Sequence, residues 1–226
     1  MADSALVHAL RLGAVAALAL TLLRQCRKPR WLPGRLFATL MNRTHRELTT
    51  WGLSHLSLAK DSSVLDVGCG GGQAIQQLAL LVPAGQVYGI DYSAASVAVA
   101  RRTNASLIDS ARVDIRLGSV SSLPFSEAIF DVVTAIETHY YWPNLEADLR
   151  EIHRVLKPNG RVAIVAEAYR RERGGAVDRG VMRVLGSKLL SADEHHDVLA
   201  AAGFVDVIVF EERRRGWICA VGVRRG

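Results

Sequence analysis

The sequence predicts an α/β protein built around a mainly parallel β-sheet. From Ser63 onward, short runs rich in β-branched residues alternate with Ala- or Leu-rich runs of helical length. The last two β-rich runs, Phe204–Phe210 and Trp217–Val223, are only six residues apart. Because a parallel crossover needs about a dozen residues or more, these two strands should form an antiparallel pair.

The individual elements are placed by periodicity and by their end signals. Further strands are predicted at Ser63–Val67, Gln86–Ile90, Val113–Leu117, Phe130–Ile136 and Arg161–Ala166. Helices are predicted at Leu36–Leu56, Gln73–Leu81, Ala94–Asn104, Asn144–Leu156 and Ser191–Ala202. Lys157–Gly160 should end the fourth helix, and Ser191 is a suitable N-cap for the last one. His195 and His196 follow two acidic residues in that helix, and we expect both in solvent.

Composition limits the class of protein. The chain has 226 residues, 50% of them hydrophobic and 22% charged, which is enough apolar material for one core and excludes global disorder. The three cysteines, Cys26, Cys69 and Cys219, are far apart and odd in number, so they predict neither a disulfide framework nor a zinc site. A reducing, intracellular compartment fits this usage.

The positive charge lies mainly at the N-terminus. Residues 1–46 hold eight basic residues and one acidic residue, a net charge of +7, so the remainder of the chain sums to −1. A protein that binds nucleic acid usually carries basic charge over its binding face. This distribution argues against DNA or RNA as a partner, and only the run Arg213–Arg215 keeps that option open.

The N-terminal segment predicts membrane association. Leu12–Leu23 is an uncharged run, and Ala5–Leu23 extends it to 19 residues that include His8 and Arg11. Basic residues and Trp31 follow it, a pattern typical of an anchor whose body faces the cytoplasm. A helix that packs on the protein or lies on a lipid surface is the alternative, since a span needs about 20 apolar residues. The predicted organisation is a hydrophobic helix at 1–28, a linker with a cap helix at 29–60, and the main domain at 61–226.

The most informative motif is the glycine-rich turn after the first strand, Val64–Gly72, with the sequence VLDVGCGGG. Glycines at such a turn let the backbone approach a ligand, and the following helix N-terminus offers free N–H groups. If the dinucleotide fingerprint G-x-G-x-x-G began at Gly68, its third glycine would fall at position 73, which is Gln73. No Gly-Lys-Ser/Thr sequence follows, so a P-loop is also excluded.

A second candidate ligand is Asp91, which ends the second strand 23 residues after Gly68. A carboxylate at this position can accept hydrogen bonds from both hydroxyls of a ribose. Because Ser93 is the more natural N-cap for the next helix, Asp91 stays available for a ligand.

These motifs resemble the successive motifs of class I S-adenosylmethionine-dependent methyltransferases. The resemblance rests on VLDVGCGGG, VYGIDYS, GSVSSLPF, FDVVTAIETHYYWPN and LREIHRVLKPNGRVAIV, and it covers roughly residues 31–223. Within the family, the chain is similar to the small bacterial branch near the ubiquinone and menaquinone methyltransferases. The resemblance implies a doubly wound, Rossmann-like sheet of seven strands whose last strand is antiparallel.

The resemblance also implies a set of residues for S-adenosylmethionine. The loop around its methionine part would comprise Asp66, Gly68, Cys69, Gly70 and Gly72. Asp91 would hold the ribose, with Tyr92 beside the adenine. Many relatives have an acidic residue and a small residue after the third strand, where this chain has Ser119 and Val120. A serine hydroxyl and the Val120 N–H would then contact the adenine.

The acceptor side is predicted after the fourth strand. Glu137 and His139 are candidate general bases, and Tyr140, Tyr141 and Trp142 could form an apolar wall or could pack beneath the next helix. We take Glu137, His139 and Tyr141 as the candidate catalytic set. His45, in the predicted cap helix, could lie near the same cleft. No cluster of carboxylates and histidines in the sequence predicts a metal site.

The sequence thus predicts a methyltransferase that uses S-adenosylmethionine and a small, apolar or aromatic acceptor of lipid-like character. Two alternatives from other classes stay open. One is a nicotinamide-dependent oxidoreductase, which Gln73 and the terminal strand pair disfavour. The other is a non-catalytic cofactor- or partner-binding protein, since a fold alone does not establish chemistry.

Overall fold

The computed structural model describes residues 45–171 and 189–226, where seven strands form one sheet in the order β3-β2-β1-β4-β5-β7-β6. The strands are β1 Ser63–Val67, β2 Gln86–Asp91, β3 Val113–Leu117, β4 Phe130–Ile136, β5 Leu156–Ala166, β6 Phe204–Glu212 and β7 Trp217–Arg224. The helices are α1 Arg46–Leu53, α2 Gln73–Leu81, α3 Ala94–Thr103, α4 Ala105–Asp109, α5 Leu145–Val155 and α6 Ala192–Ala201. A 3-10 helix spans His139–Tyr141.

Strand directions confirm the predicted class. The pairs β1–β2, β1–β4, β2–β3 and β4–β5 are parallel, whereas β7 lies antiparallel to both β5 and β6. The connection between β6 and β7 is too short for a crossover, and Gly216 turns the chain there with a φ of +76°. The last strand is therefore inserted between β5 and β6.

Helices cover both faces of the sheet, which confirms the doubly wound architecture. On one face, Leu149 and Ile152 of α5 and Leu199 of α6 pack on buried residues of the central strands. On the other face, α2 and α3 pack through Ile75, Leu78, Val97 and Ala100. Helix α1 lies on this second face over β5 and β7, and a Cβ on Gly52 would meet Val165 at 2.5 Å. Glycine at that position brings α1 close to the sheet.

Most predicted boundaries among the described residues hold within two residues. Helix α1 ends at Leu53, three residues before the predicted Leu56, and two further differences occur. Strand β5 begins at Leu156, so Lys157–Gly160 belongs to an irregular start of the strand, where Asn159 has a φ of +63°. Helix α4 was not predicted because it is short and has no buried residue to create a periodic pattern. The predicted N-caps Ser93 and Ser191 each accept a backbone N–H bond in the first turn of their helix.

Two predictions on the N-terminal segment fall outside the described residues: the hydrophobic run Ala5–Leu23 and the linker that precedes α1. The predicted boundary at 28 therefore lies outside the described residues, and the boundary at 60 stays a prediction. Within residues 45–171 and 189–226, no helix is long and apolar enough to cross a bilayer.

Candidate functional site

A cleft of about 280 Å³ opens at the carboxyl ends of β1, β2 and β4. The sheet order reverses between β1 and β4, and open α/β sheets bind ligands at such a switch point. The lining residues come from α1, the glycine loop and the loops after β2, β3 and β4. They are His45, Thr49, Asp66, Val67, Gly68, Cys69, Gly70, Gly71, Gln73, Ala74, Ile90, Asp91, Tyr92, Ser96, Gly118, Ser119, Val120, Ile136, Glu137, Thr138, Tyr141, Trp142 and Pro143.

The glycine loop is fixed to the neighbouring strand by its backbone. The N–H groups of Gly68 and Cys69 both donate to the carbonyl oxygen of Ile90, at 2.7 and 3.0 Å. Gly70 has a φ of +52°, and a Cβ built on it would meet no atom within 4 Å. The backbone of Gly70 therefore borders open space, as a close approach to a ligand requires.

Asp91 braces this loop from the end of β2. Its Oδ2 accepts from the N–H of Gly70 at 3.0 Å, and its Oδ1 accepts from the N–H of Ser93 at 2.8 Å. Burial raises the pKa of Asp91, and these two hydrogen bonds oppose that rise. Because each carboxylate oxygen has two lone pairs, Asp91 can brace the loop and still accept hydrogen bonds from ligand hydroxyls.

Asp66, at the end of β1, is the second carboxyl group in this half of the cleft. It is 2% exposed, and its Oδ1 accepts the hydroxyl of Thr134 at 2.7 Å. The pKa of Asp66 is raised to about 7, chiefly by burial; the hydrogen bond from Thr134 opposes this rise and the charge of Asp91 adds to it. A cationic ligand group would stabilise the charged carboxylate here.

Eight of the nine residues predicted for the cofactor line the cleft; Gly72 does not. Gly72 is the N-cap of α2 in the left-handed conformation, with a φ of +81°. A Cβ there would lie 2.4 Å from Nδ2 of Asn104 and 3.0 Å from Cα of Ala100. A glycine is thus required at position 72 for the loop to pack against α3.

The opposite half of the cleft is formed by Glu137, Thr138, Tyr141, Trp142 and Pro143. Thr138 joins the two halves: its Oγ1 accepts the indole N–H of Trp142 at 2.8 Å, and a Cβ on Gly68 would come within 2.3 Å of the same oxygen. Glu137 and Tyr141, two of the three candidate catalytic residues, face this part of the cleft. Tyr140 instead packs in a separate cluster with Ala166, Tyr169, Leu189 and Ile218.

His139, the third catalytic candidate, is placed outside the lining residues, 2% exposed and against His195 of α6. The two Nε2 atoms are 3.2 Å apart, and Nδ1 of His195 lies 2.7 Å from the carbonyl oxygen of Ser191. Since a carbonyl only accepts, Nδ1 of His195 carries the hydrogen and its Nε2 accepts from His139. His195 is therefore neutral, and burial lowers the pKa values of both histidines, which also favours a neutral His139 ring.

This pair corrects the expectation that His195 lies in solvent, because the side chain is fully buried, while His196 is exposed as expected. The contact ties the loop after β4 to α6. In the described part of the chain, no donor reaches Nδ1 of His139. No sequence motif predicts the pair, since its members are 56 residues apart.

The structure also brings together three residues that the sequence did not group. A ring nitrogen of His45 and one carboxylate oxygen each of Glu137 and Glu167 lie within 4.8 Å of one another. Glu167 was not among the predicted site residues, although its position directly after a central parallel strand was the available signal. Glu167 follows the last residue of β5, next to the end of β4, where the N–H of Glu137 donates to the carbonyl of Val165.

The cleft fits S-adenosylmethionine on these observations. Gly70 leaves room for close approach, Asp66 offers a buried carboxyl to a cationic group, and Asp91 keeps acceptor capacity. Tyr92 and Val120 border the adjoining end of the cleft, beside Ser119, whose Oγ accepts the N–H of Ser121 at 3.2 Å. Asp91, Tyr92, Ser119 and Val120 are therefore suitably placed for a nucleoside.

Comparison with known proteins supports this assignment. A family model described as "Methyltransferase domain" matches residues 58–179. The O-methyltransferase cnsE of Penicillium expansum is 32% identical over 71% of this chain and 59% of its own length. The demethylmenaquinone methyltransferase of Lactiplantibacillus plantarum is 35% identical over 53% of this chain and 51% of its own. The chain thus spans little more than half the length of these relatives.

Solved structures share the fold at low sequence identity. Geranyl diphosphate C-methyltransferase from Streptomyces coelicolor, in complex with S-adenosylhomocysteine, has a TM-score of 0.68 and 17% identity over 80% of each chain. Human N-acetylserotonin methyltransferase, in complex with S-adenosylmethionine, has a TM-score of 0.70 and 17% identity over 85% of this chain and 56% of its own. The chain belongs to the methyltransferase-domain family and has the class I fold, whose cofactor is S-adenosylmethionine.

Proposed function

We propose that the protein transfers a methyl group from S-adenosylmethionine to a small apolar or aromatic acceptor. The observation that carries this proposal is the composition of one continuous cleft. Its first half presents backbone amides and the carboxyl groups of Asp66 and Asp91, and its second half presents Tyr141, Trp142 and Glu137. A cofactor and an acceptor would therefore meet across Thr138 and Gly68.

The cofactor would supply a methyl group bound to a sulfonium, which is already electrophilic. The chain's own residues need chiefly to bind, orient and exclude water. Asp91 and the Gly70 backbone fix the loop, and Asp66 provides the carboxyl that favours a cation. Trp142 and Tyr141 give the acceptor half an apolar wall with polar tips, as small-molecule sites generally have.

The acceptor class is supported by two further observations. The chain outside residues 1–46 sums to a charge of −1, which suits an uncharged small molecule better than a polyanion such as nucleic acid. The relatives named above are a demethylmenaquinone methyltransferase and an O-methyltransferase, so their names point to a quinone and to hydroxyl oxygens. An aromatic acceptor of this kind would pack on Trp142 and Tyr141.

Two measurements test the proposal. Calorimetry should show that S-adenosylhomocysteine binds to the protein and that NADH does not displace it. Labelled methyl groups from S-adenosylmethionine should then appear in a lipid or small-molecule fraction of a cell extract. Competition by NADH would support a nicotinamide-dependent oxidoreductase instead. Binding without transfer into any fraction would support a non-catalytic binding protein.

We further propose that Ala5–Leu23 attaches the protein to the cytoplasmic face of a membrane. This rests on the apolar run and the basic residues after it in the sequence. Deleting residues 1–28 should move the protein from the membrane fraction to the soluble fraction and leave the affinity for S-adenosylhomocysteine unchanged. A full-length protein that stays soluble without lipid or detergent would contradict the anchor.

A further inference from the structure

The acceptor half of the cleft contains a cluster of three titratable side chains from three separate elements. His45 immediately precedes α1, Glu137 follows β4 and Glu167 follows β5. One nitrogen or oxygen atom of each lies within 4.8 Å of the others. His45 and Glu137 line the cleft, whereas Glu167 is exposed at its rim.

Glu137 is held firmly at the wall of the cleft. Its Oε1 accepts the hydroxyl of Tyr140 at 3.0 Å and also the backbone N–H of Glu167. Among the described residues both donors use Oε1, so Oε2 keeps its lone pairs for a group in the cleft. Glu137 also has a φ of +59°, a conformation that a non-glycine residue adopts at a cost and that is frequent at functional sites.

The other two members act on Glu137 with opposite charge. Nε2 of His45 lies 3.3 Å from Oε1 of Glu167. The pKa of Glu137 is raised to about 7, chiefly by burial and also by the charge of Glu167, while the charge of His45 opposes the rise. Although burial alone would lower the pKa of His45, its hydrogen bond to Glu167 and the charges of both carboxylates raise it. Tyr140 is the remaining titratable group that contacts Glu137.

We propose that Glu137 is the catalytic proton acceptor of the methyl transfer, that His45 and Glu167 are positioning residues which set its charge state, and that the acceptor is therefore an aromatic compound that reacts through a hydroxyl group. This inference rests on the proposed function. It adds the attacking atom and two residues that the sequence motifs do not assign. Glu137 is well placed because it lines the half of the cleft opposite the glycine loop, and its two donors among the described residues both use Oε1.

The reaction balances with these groups alone. The O–H bond of the acceptor breaks, and its proton moves to the Glu137 carboxylate. The oxygen uses its electron pair to form the new bond to the methyl carbon, while the pair of the breaking C–S bond stays on sulfur. The products are a methyl ether, a neutral thioether and protonated Glu137, which then returns the proton to water.

The same three residues could instead bind a divalent metal ion. Two observations argue for proton transfer. His45 already pairs with Glu167, and the two protein donors that contact Glu137 both use its Oε1. A separation of up to 4.8 Å is also wider than the roughly 3.3 Å between neighbouring ligand atoms of a tetrahedral zinc site, given bonds of about 2.0 Å.

The first experiment needs neither cofactor nor acceptor. In full-length protein labelled with carbon-13 at the glutamate side-chain carboxyls, the Glu137 signal is assigned by its loss in Glu137→Gln and followed against pH. We expect the midpoint to move to higher pH in His45→Gln and to lower pH in Glu167→Gln, by at least about half a pH unit each. His196→Gln and Glu146→Gln, which remove the same groups from the exposed surface, should leave it unmoved.

The second experiment measures methyl transfer to 1-naphthol and to 1,4-dihydroxynaphthalene kept reduced, with 1-methoxynaphthalene as the acceptor that lacks a free hydroxyl. We expect transfer to the two hydroxylated compounds alone. The acid limb of the kcat–pH profile should shift in the two positioning variants as the carboxyl signal does, with KM little changed.

Several results would overturn the inference. Midpoints that stay fixed or move together would remove the positioning roles. Opposed midpoint shifts without transfer to either naphthol would remove the catalytic role of Glu137 and the acceptor class. Stoichiometric zinc or magnesium binding that the three variants abolish would show a metal site. Because calorimetry with S-adenosylhomocysteine tests the proposed function separately, a failure of that function can be told from a failure of this inference.

Discussion

The two halves of the cleft are built in different ways. The cofactor half comes from residues 66–74 and 90–96, with a short contribution after β3, and its geometry is set largely by backbone hydrogen bonds. The acceptor half brings together His45, Glu137 and Glu167, which are separated by 92 and 30 residues, and its geometry is set by side chains. A local motif therefore encodes one half, and the arrangement of the sheet creates the other.

This difference indicates how each half should respond to substitution. Changes in the cofactor half should weaken binding of S-adenosylhomocysteine. Changes in the acceptor half should reduce turnover and leave that binding intact. Single substitutions in each half test this separation.

Glu137→Gln should reduce kcat by about 100-fold or more, the lower range for loss of a general base. The amide keeps the shape of the side chain and removes its ability to take a proton. Affinity for S-adenosylhomocysteine should change less than about twofold, since Asp91 and the loop are untouched. Full turnover in this variant would show that the acceptor is activated elsewhere.

Asp91→Ala should have the opposite signature and weaken S-adenosylhomocysteine binding by about 1.5–3 kcal/mol, the range for hydrogen bonds to a charged group. Calorimetry checks this as a loss of about 10- to 150-fold in affinity. Asp114→Ala is the matched control, because Asp114 pairs with Arg116 on β3, outside the lining residues. Unchanged affinity in Asp91→Ala would remove the ribose assignment.

His139→Leu should test the support of the acceptor half. It leaves Nε2 of buried His195 without its donor, which should lower the free energy of unfolding by about 1–3 kcal/mol at pH 7. Both histidines have lowered pKa values in the folded protein, so the unfolded chain binds more protons as the pH falls through about 6.5. The free energy of unfolding of the wild type should therefore decrease as the pH falls below about 6.5.

Thermal unfolding at pH 7 and pH 5 measures this effect. The loss of stability on acidification should be smaller in His139→Leu than in the wild type, because one buried base has been removed. His196→Gln, a change at an exposed histidine of the same helix, should behave like the wild type. An equal loss in wild type and His139→Leu would argue against a neutral buried pair.

The smallest effect is expected at Asp66. Its pKa of about 7 in the free protein should fall when a cationic ligand group binds, so binding should release protons. Affinity for S-adenosylmethionine should then rise between pH 6 and pH 8 by less than about tenfold, since one group titrates. Calorimetry at three pH values checks this, and Asp66→Asn should flatten the dependence. An affinity that falls over this range would contradict the assignment.

Short sequence patterns predicted the cofactor half of the cleft and the fold class. Three local patterns carried these predictions: the VLDVGCGGG turn, the acid at the end of β2 and the short link between β6 and β7. Each pattern specifies structure only within a few residues of itself. Local backbone geometry follows from local sequence, because positive φ values and tight turns select glycine at single positions. Eight of the nine predicted cofactor residues consequently line the cleft.

Which residues form the acceptor half, and the roles of His139 and His195, follow only from the tertiary structure. The end of β4 lies beside that of β5, and only this neighbourhood places Glu167 against Glu137. Likewise, packing of α6 against the 3-10 helix buries His195 on His139. Such contacts join residues far apart in the chain, so they depend on which strands and helices become neighbours, and no short pattern in the sequence records that choice.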